Sequence, residues 1–274
     1  HHFGLYAKTA TGYATSLIML LPLSDDDRKL IKPAFVTWLL LLANLLVFWK
    51  QVADPAFTFG FAAIPAEITG NKDLVDPIPI RVSPQQVEAM PNAPGPSPIQ
   101  LTLFTSMFMH AGLLHLAGNM LFLWIFGDNV EHRFGHVPFL VFYLGSGLAA
   151  SLAHVAMNSD SIVPSLGASG AIAGVLGAYV LLFPWNQVYV LVLIWMVSVP
   201  AFVVIALWFV NQLLGGFESL TALPDAGGVA YAAHIGGFLT GVAMAFVMRT
   251  RIAEEPESVF RRYYVADSSA KRLW

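Results

Sequence analysis

The chain has 274 residues, of which 57% are hydrophobic and 11% charged, with a mean hydropathy of +0.66 and a formal charge of -3. A soluble domain carries roughly 25% charged residues, so water is excluded as the main solvent and bilayer-crossing helices become the unit of organisation. The absence of cysteine excludes disulfides, thiolate metal sites and a cysteine nucleophile, and the weak negative charge gives no sign of a nucleic-acid partner.

Residues 1–32 read as an N-terminal cytoplasmic segment. Its apolar stretch Leu17–Leu21 is too short to span, so no signal peptide is assigned. The uncharged run from Pro33 to Trp49, with Trp38 and Trp49 inside it and Lys32 and Lys50 at its ends, predicts a first span anchored at both interfaces. Residues 51–110 predict a long outer loop, because nine of the seventeen prolines fall between 51 and 100, among Lys72, Asp73, Asp76, Arg81 and Glu88. The apolar patch Phe57–Ile64 within it suits either the membrane interface or an ordinary folded loop.

No charge occurs from Leu101 to Gly127, which predicts a second span beginning near Gly112. Asp128–His136 predicts a polar turn, Val137–Met157 a third span, and Asn158, Ser159 and Asp160 the turn that closes it. The stretch from Ser161 to Phe217 is again uncharged, and Phe183-Pro-Trp-Asn-Gln187 divides it into a fourth and a fifth span. A Gly-rich turn over Gly215–Gly228 precedes a sixth span, Val229–Met248, which ends before Arg249 and Arg251.

The expected fold class is therefore an all-α polytopic bundle of six transmembrane helices over residues 33–250, with a cytoplasmic tail, 251–274. Six spans put both termini on one side. With the termini inside, the inner segments hold Lys8, Arg28, Lys29, Lys32, Arg133, Arg249, Arg251, Arg261, Arg262, Lys271 and Arg272, whereas the outer loops hold only Lys50, Lys72 and Arg81. The positive-inside rule favours cytoplasmic termini.

In that topology the second, fourth and sixth spans enter from the outer face, and each carries polar groups in its first two turns. Counted from starts near Gly112, Pro164 and Gly228, the residues His115, Ser169 and His234 lie about 5 to 9 Å below the outer boundary at ~1.5 Å per residue. Asn119 follows His115 by one turn on the same face. A lone serine in a membrane helix is usually a packing residue bonded to its own backbone, and His115 and Asn119 are also open to ordinary interhelical hydrogen bonding. A histidine inside a span is costlier and more often functional.

Small residues link these groups. Gly170 and Gly174 make one small-residue face, and Gly237 and Gly241 make another, so the fourth and sixth spans can touch closely. Close approach would bring the Ser169 hydroxyl to the His234 ring, the nucleophile and base pairing of acyl transfer. His115, Asn119 and the Ser169 amide would then be available to an oxyanion. No carboxylate is placed to complete a triad, so a dyad is expected, with His234 oriented by packing or by a backbone group. No metal or other cofactor is expected.

In order along the chain, these residues resemble the rhomboid family of intramembrane serine proteases over about residues 101–250. His110 with His115-Leu-Ala-Gly-Asn119 resembles the family's second-helix motif, Gly167-Ala-Ser169-Gly170 its nucleophile motif, and Ala233-His234-Ile-Gly-Gly237-Phe-Leu-Thr-Gly241 its sixth-helix motif. The resemblance implies Ser169 as nucleophile, His234 as general base, His115 and Asn119 as oxyanion stabilisers, and His110 with Gly167, Gly170, Gly237 and Gly241 in support. It further implies cleavage of single-span membrane protein substrates near the outer face, in the lipid bilayer of a bacterial inner (cell) membrane, and a structural role for Glu131 and Arg133. Two positions depart from the family pattern. Leu101 and Thr102 stand where many members carry a Trp-Arg pair, and Ala173 stands where some place a tyrosine that stacks on the catalytic histidine.

Three competing readings make different demands. A catalytically inactive rhomboid-like chaperone or trafficking factor would lose the dyad. A small transporter predicts an inverted repeat and polar groups at the midplane, and no convincing repeat is found. A metalloprotease would need a His-Glu-x-x-His helix, which the sequence lacks.

Overall fold

The computed structural model describes residues 21–25, 33–83, 86–221 and 231–249. Six apolar helices make its body: α1 (Phe35–Ala53), α4 (Leu113–Phe134), α5 (His136–Met157), α6 (Ser169–Leu182), α7 (Ala201–Thr221) and α8 (Tyr231–Met248). Of these, α1, α4, α5 and α8 are long and apolar enough to cross a membrane, and α6 and the apolar part of α7 are shorter. The loop after α1 holds α2 (Pro55–Phe61), α3 (Pro65–Gly70), a hairpin of β2 (Ile78–Ser83) with β3 (Gln86–Met90), and three short helical turns between Ile99 and Phe108.

A helix that is apolar on every side belongs in the middle of a bundle. In α6 every residue from Gly170 to Tyr179 is buried. Phe126, Phe139, Phe142 and Tyr143 share its core, and the Phe126 ring meets Tyr179 edge-on at 5.0 Å between centroids. By contrast α1 turns Leu39, Leu42, Leu45 and Leu46 outward, the arrangement of a helix at the lipid-facing rim.

Three boundaries differ from the sequence expectation. Residues 128–134 are not a turn: α4 continues to Phe134, and Gly135, at φ +84°, separates it from α5. The charges there face protein rather than ending the helix. The Glu131 carboxylate accepts the backbone N–H groups of Val36 (2.9 Å) and Thr37 (2.7 Å) and the Thr37 hydroxyl (2.7 Å), capping the start of α1, and lies 2.5 Å from His136 Nδ1. Such capping satisfies N–H groups that a helix cannot pair internally.

The fourth helix begins at Ser169 rather than near Pro164, because the preceding residues are held outside the helix. Ala63 and Ser165 exchange backbone hydrogen bonds of 3.0 and 2.8 Å, and Gly167 N–H donates to the Ser106 carbonyl at 2.9 Å. The fifth helix begins at Ala201, since the alternating, β-branched run that precedes it folds as an antiparallel hairpin of β4 (Gln187–Val192) and β5 (Trp195–Pro200). A short strand, β1 (Leu21–Asp25), pairs with the free edge of β4, so the strand order is β1-β4-β5. Asp25 anchors it, accepting from Asn129 Nδ2 at 2.7 Å and from the Tyr179 hydroxyl. The architecture is thus the expected polytopic helical membrane bundle, with two small sheets carried in its connections. The predicted start at Gly228, the tail 251–274, and Lys8, Arg28, Lys29 and Lys32 of the N-terminal segment lie outside the described residues.

The contact of α6 with α8 is made backbone to backbone. A Cβ placed on Gly237 would lie 2.1 Å from the Gly170 carbonyl oxygen, and one on Gly241 would lie 2.1 Å from the Gly174 carbonyl oxygen. Neither backbone can yield without separating the helices. Gly241→Ala should therefore destabilise the protein by about 1–3 kcal/mol, the usual cost of overpacking. Gly118→Ala is the control, because a Cβ there meets nothing within 4 Å. It should be neutral or stabilising by up to ~1 kcal/mol. Thermal unfolding in detergent micelles measures both, and equal midpoints for the two variants would contradict the packing account.

Candidate active site

Because α6 and α8 meet backbone to backbone, side chains at their ends are brought together. Ser169 is the first residue of α6, and His234 lies within the first turn of α8. His234 Nε2 is 2.8 Å from Ser169 Oγ. As the first helical residue, Ser169 has a backbone N–H with no carbonyl of its own helix to bond, and the positive end of the helix dipole coincides with it.

Gly167 sits at φ +132°, a conformation that L side chains rarely adopt, and it also leaves room for His115. A Cβ on Gly167 would lie 2.9 Å from His115 Cε1, 3.1 Å from His115 Nε2 and 3.5 Å from Ser169 Oγ. The His115 ring edge therefore lies beside the nucleophile motif. Its other nitrogen, Nδ1, accepts the Ala111 N–H at 3.4 Å, which leaves the proton on Nε2. That atom is then the donor of the ring, and it lies beside Gly167.

Asn119 is buried one turn further along α4, and its amide donates to the His115 carbonyl at 2.9 Å. One of its two amide hydrogens is thus engaged within its own helix. His110 is fully buried just before α4, its ring edge-on to His115 at 5.2 Å between centroids. Among the described residues neither of its ring nitrogens has a hydrogen-bond partner. Gly170 permits close packing of α6 on α5 as well as on α8, since a Cβ there would lie 2.6 Å from the Ala150 Cβ.

Three neighbours escaped the sequence reading. Gln212 on α7 is buried, and its Oε1 is 2.7 Å from His234 Nδ1, so a side-chain amide meets the histidine in addition to the packing that was expected. Trp208, one turn earlier on α7, packs its ring 5.9 Å from the imidazole, inclined at 43°. Gln51 near the end of α1 clasps the backbone of His110, accepting its N–H at 2.8 Å and donating to its carbonyl at 3.3 Å. The available signal was polarity: an uncharged amide in an otherwise apolar span needs a partner.

Comparison with known proteins gives a consistent picture. A family model described as the rhomboid domain matches residues 99–251, more than half of the chain. Rhomboid protein 1, mitochondrial, of Saccharomyces cerevisiae is 31% identical over 160 residues, covering 57% of this chain and 44% of its own length. RHOMBOID-like protein 5 of Arabidopsis thaliana is 34% identical over 151 residues, covering 54% and 44% respectively. Rhomboid protease GluP of Bacillus subtilis is 33% identical over 159 residues, covering 53% and 31%. The chain therefore spans less than half the length of these relatives.

Burial, with the nearby His115 ring as a lesser cause, pushes the His110 imidazole down to about 3. In an unfolded chain a histidine titrates near ~6.5. Stability tied to neutral His110 is thus fully present above that value and is lost as pH falls from there toward 3, because only the unfolded chain takes up the proton. Thermal midpoints measured between pH 7 and 4 should fall less steeply for His110→Phe than for the parent protein. Identical slopes would mean that His110 is readily protonated in the folded state.

Proposed function

Because this chain belongs to the rhomboid family and is an integral membrane protein, we propose that it is an intramembrane serine endopeptidase that uses Ser169 and His234 as a catalytic dyad. The observation that carries the reading is the 2.8 Å contact between His234 Nε2 and Ser169 Oγ. That contact is the geometry a general base needs.

In the proposed reaction His234 Nε2 takes the Ser169 hydroxyl proton as Oγ bonds to the carbonyl carbon of the scissile peptide. The oxyanion that forms is met by the Ser169 N–H, by His115 Nε2–H and by the Asn119 amide, fixed donors in a site of low dielectric. Collapse breaks the C–N bond, and the departing amine receives the proton from His234. Water, deprotonated by the same imidazole, then releases the acyl group from Ser169 and restores the enzyme. No step calls on a metal.

The proposed substrates are single-span membrane proteins cut near the outer membrane face. A helical peptide bond is screened by side chains and its carbonyl is engaged, so the segment must unwind before Ser169 can reach it. In lipid each exposed backbone group costs several kcal/mol unless protein or water meets it, which favours sites near the aqueous boundary. Gly and Pro lower helix stability by about 1 and 3 kcal/mol, which favours helix-breaking residues just beyond the cut. A small residue is proposed before the cut, because the Ser169 hydroxyl is hemmed in by the His234 ring and by the His115 ring beside Gly167. The proposed organisation keeps residues 33–250 as the membrane domain of a bacterial inner membrane protein, with 1–32 and 251–274 cytoplasmic.

Ser169→Ala and His234→Ala should each reduce cleavage of a single-span reporter to background while the protein still folds. His115→Ala or Asn119→Ala should lower kcat by about 10²-fold with little change in KM, the loss typical of one oxyanion donor. A chelator should have no effect. Turnover in proteoliposomes measures all of these, and wild-type turnover by Ser169→Ala would overturn the reading.

A further inference from the structure

We propose that Gln212 is a positioning residue for this reaction: its side-chain carbonyl holds His234 in the one tautomer able to accept the Ser169 proton. The inference rests on the protease reading of the Ser169 and His234 pair and adds a third member to it.

A neutral imidazole carries a single N–H, on either nitrogen. An amide oxygen has no proton to give, so the 2.7 Å contact between Gln212 Oε1 and His234 Nδ1 is a hydrogen bond only when Nδ1 bears the hydrogen. The lone pair is then on Nε2, the atom 2.8 Å from Ser169 Oγ. In the other tautomer Nε2–H would point at Ser169 and could not act as its base, while the Nδ1 lone pair would face the lone pairs of Oε1. Gln212 thereby penalises the unproductive form, and the hydrogen bond on one nitrogen decides the role of the other.

The same helix also fixes the plane of the ring. Trp208 and Gln212 are four residues apart on α7 and so share a face, the first packing on the His234 ring and the second bonding its far edge. From α6, Ala173 is buried one turn after Ser169 and offers only a methyl group. A carboxylate in the place of Gln212 would put a charge into a buried site within the membrane, at considerable cost. The amide supplies orientation without that charge. Gln212 contacts neither Ser169 nor any reacting atom, and acts only through the imidazole.

The test uses the full chain in proteoliposomes with a single-span reporter. Gln212→Met keeps the length of the side chain and removes the acceptor. It should lower kcat by about 10²-fold, the low end of what a general base contributes, leaving KM and the thermal midpoint near wild type. Gln212→Glu keeps an acceptor oxygen on Nδ1 and should recover most of kcat, while the buried charge lowers the thermal midpoint. Nitrogen-15 spectra of labelled histidine, with the His234 signal identified by its loss in His234→Ala, should show the proton on Nδ1 in the wild type. Unchanged kcat in Gln212→Met, or equal losses in the Met and Glu variants, would overturn the proposal. A His234 proton found on Nε2 in the wild type would also do so. If Ser169→Ala is inactive while Gln212→Met is fully active, only the positioning role falls. If Ser169→Ala cuts like wild type, the protease reading itself falls.

Discussion

The backbones of α6 and α8 approach so closely that Gly237 and Gly241 have no room for a Cβ: the Gly170 and Gly174 carbonyl oxygens occupy the place. In lipid, apolar side chains gain little by leaving the hydrocarbon for one another, and association rests on van der Waals contact and hydrogen bonding between helices. Small residues are what permit both. Here they also set the distance between two side chains at the end of the contact, Ser169 and His234. A separation of even one ångström between the helices would turn that hydrogen bond into a mere neighbourhood. The contact between Ser169 and His234 is therefore a property of the helix interface, which is how glycines with no reactive group come to bear on it.

The remaining polar groups follow from a second constraint, that hydrocarbon gives an unpaired donor or acceptor no alternative partner. Glu131 meets the first N–H groups of α1, Gln51 meets both backbone groups of His110, and Asp25 gathers Asn129 and Tyr179. Each contact joins elements distant in sequence. Together they tie α1, β1 and the segment before α4 to the bundle, while backbone hydrogen bonds to Ala63 and Ser106 hold the lead-in to Ser169 at Ser165 and at Gly167. A buried network of this kind is costly when broken, so it also favours one arrangement of the helices over others.

Much of this was legible in the chain because bilayer physics writes long signals. The uncharged run before Lys50 and the third span ending at Met157 were readable from charged and polar boundaries, since a charge at the bilayer centre costs several kcal/mol. The pairs Gly170 with Gly174 and Gly237 with Gly241 gave the helix contact, for small residues four apart have few other uses in a span. What could not be read depended on partners far away in sequence. Asp128, Glu131 and Arg133 look like a turn until Glu131 is seen capping α1. The hairpin Gln187–Pro200 hides in an uncharged run because a short apolar strand and a stretch of membrane helix share a composition. Gln212 belongs with these, as its contact with His234 exists only once α7 is placed against α8.

The central claim is chemical: one serine among many in this chain is made nucleophilic by the imidazole beside it. A fluorophosphonate reads that property without any knowledge of the substrate, because it traps an activated serine in a covalent bond and its site can be mapped by mass spectrometry of the digested protein. The account predicts one adduct, on Ser169, and no adduct when His234 is replaced by alanine. An adduct on a different serine, or labelling of Ser169 that proceeds equally well without His234, would contradict it.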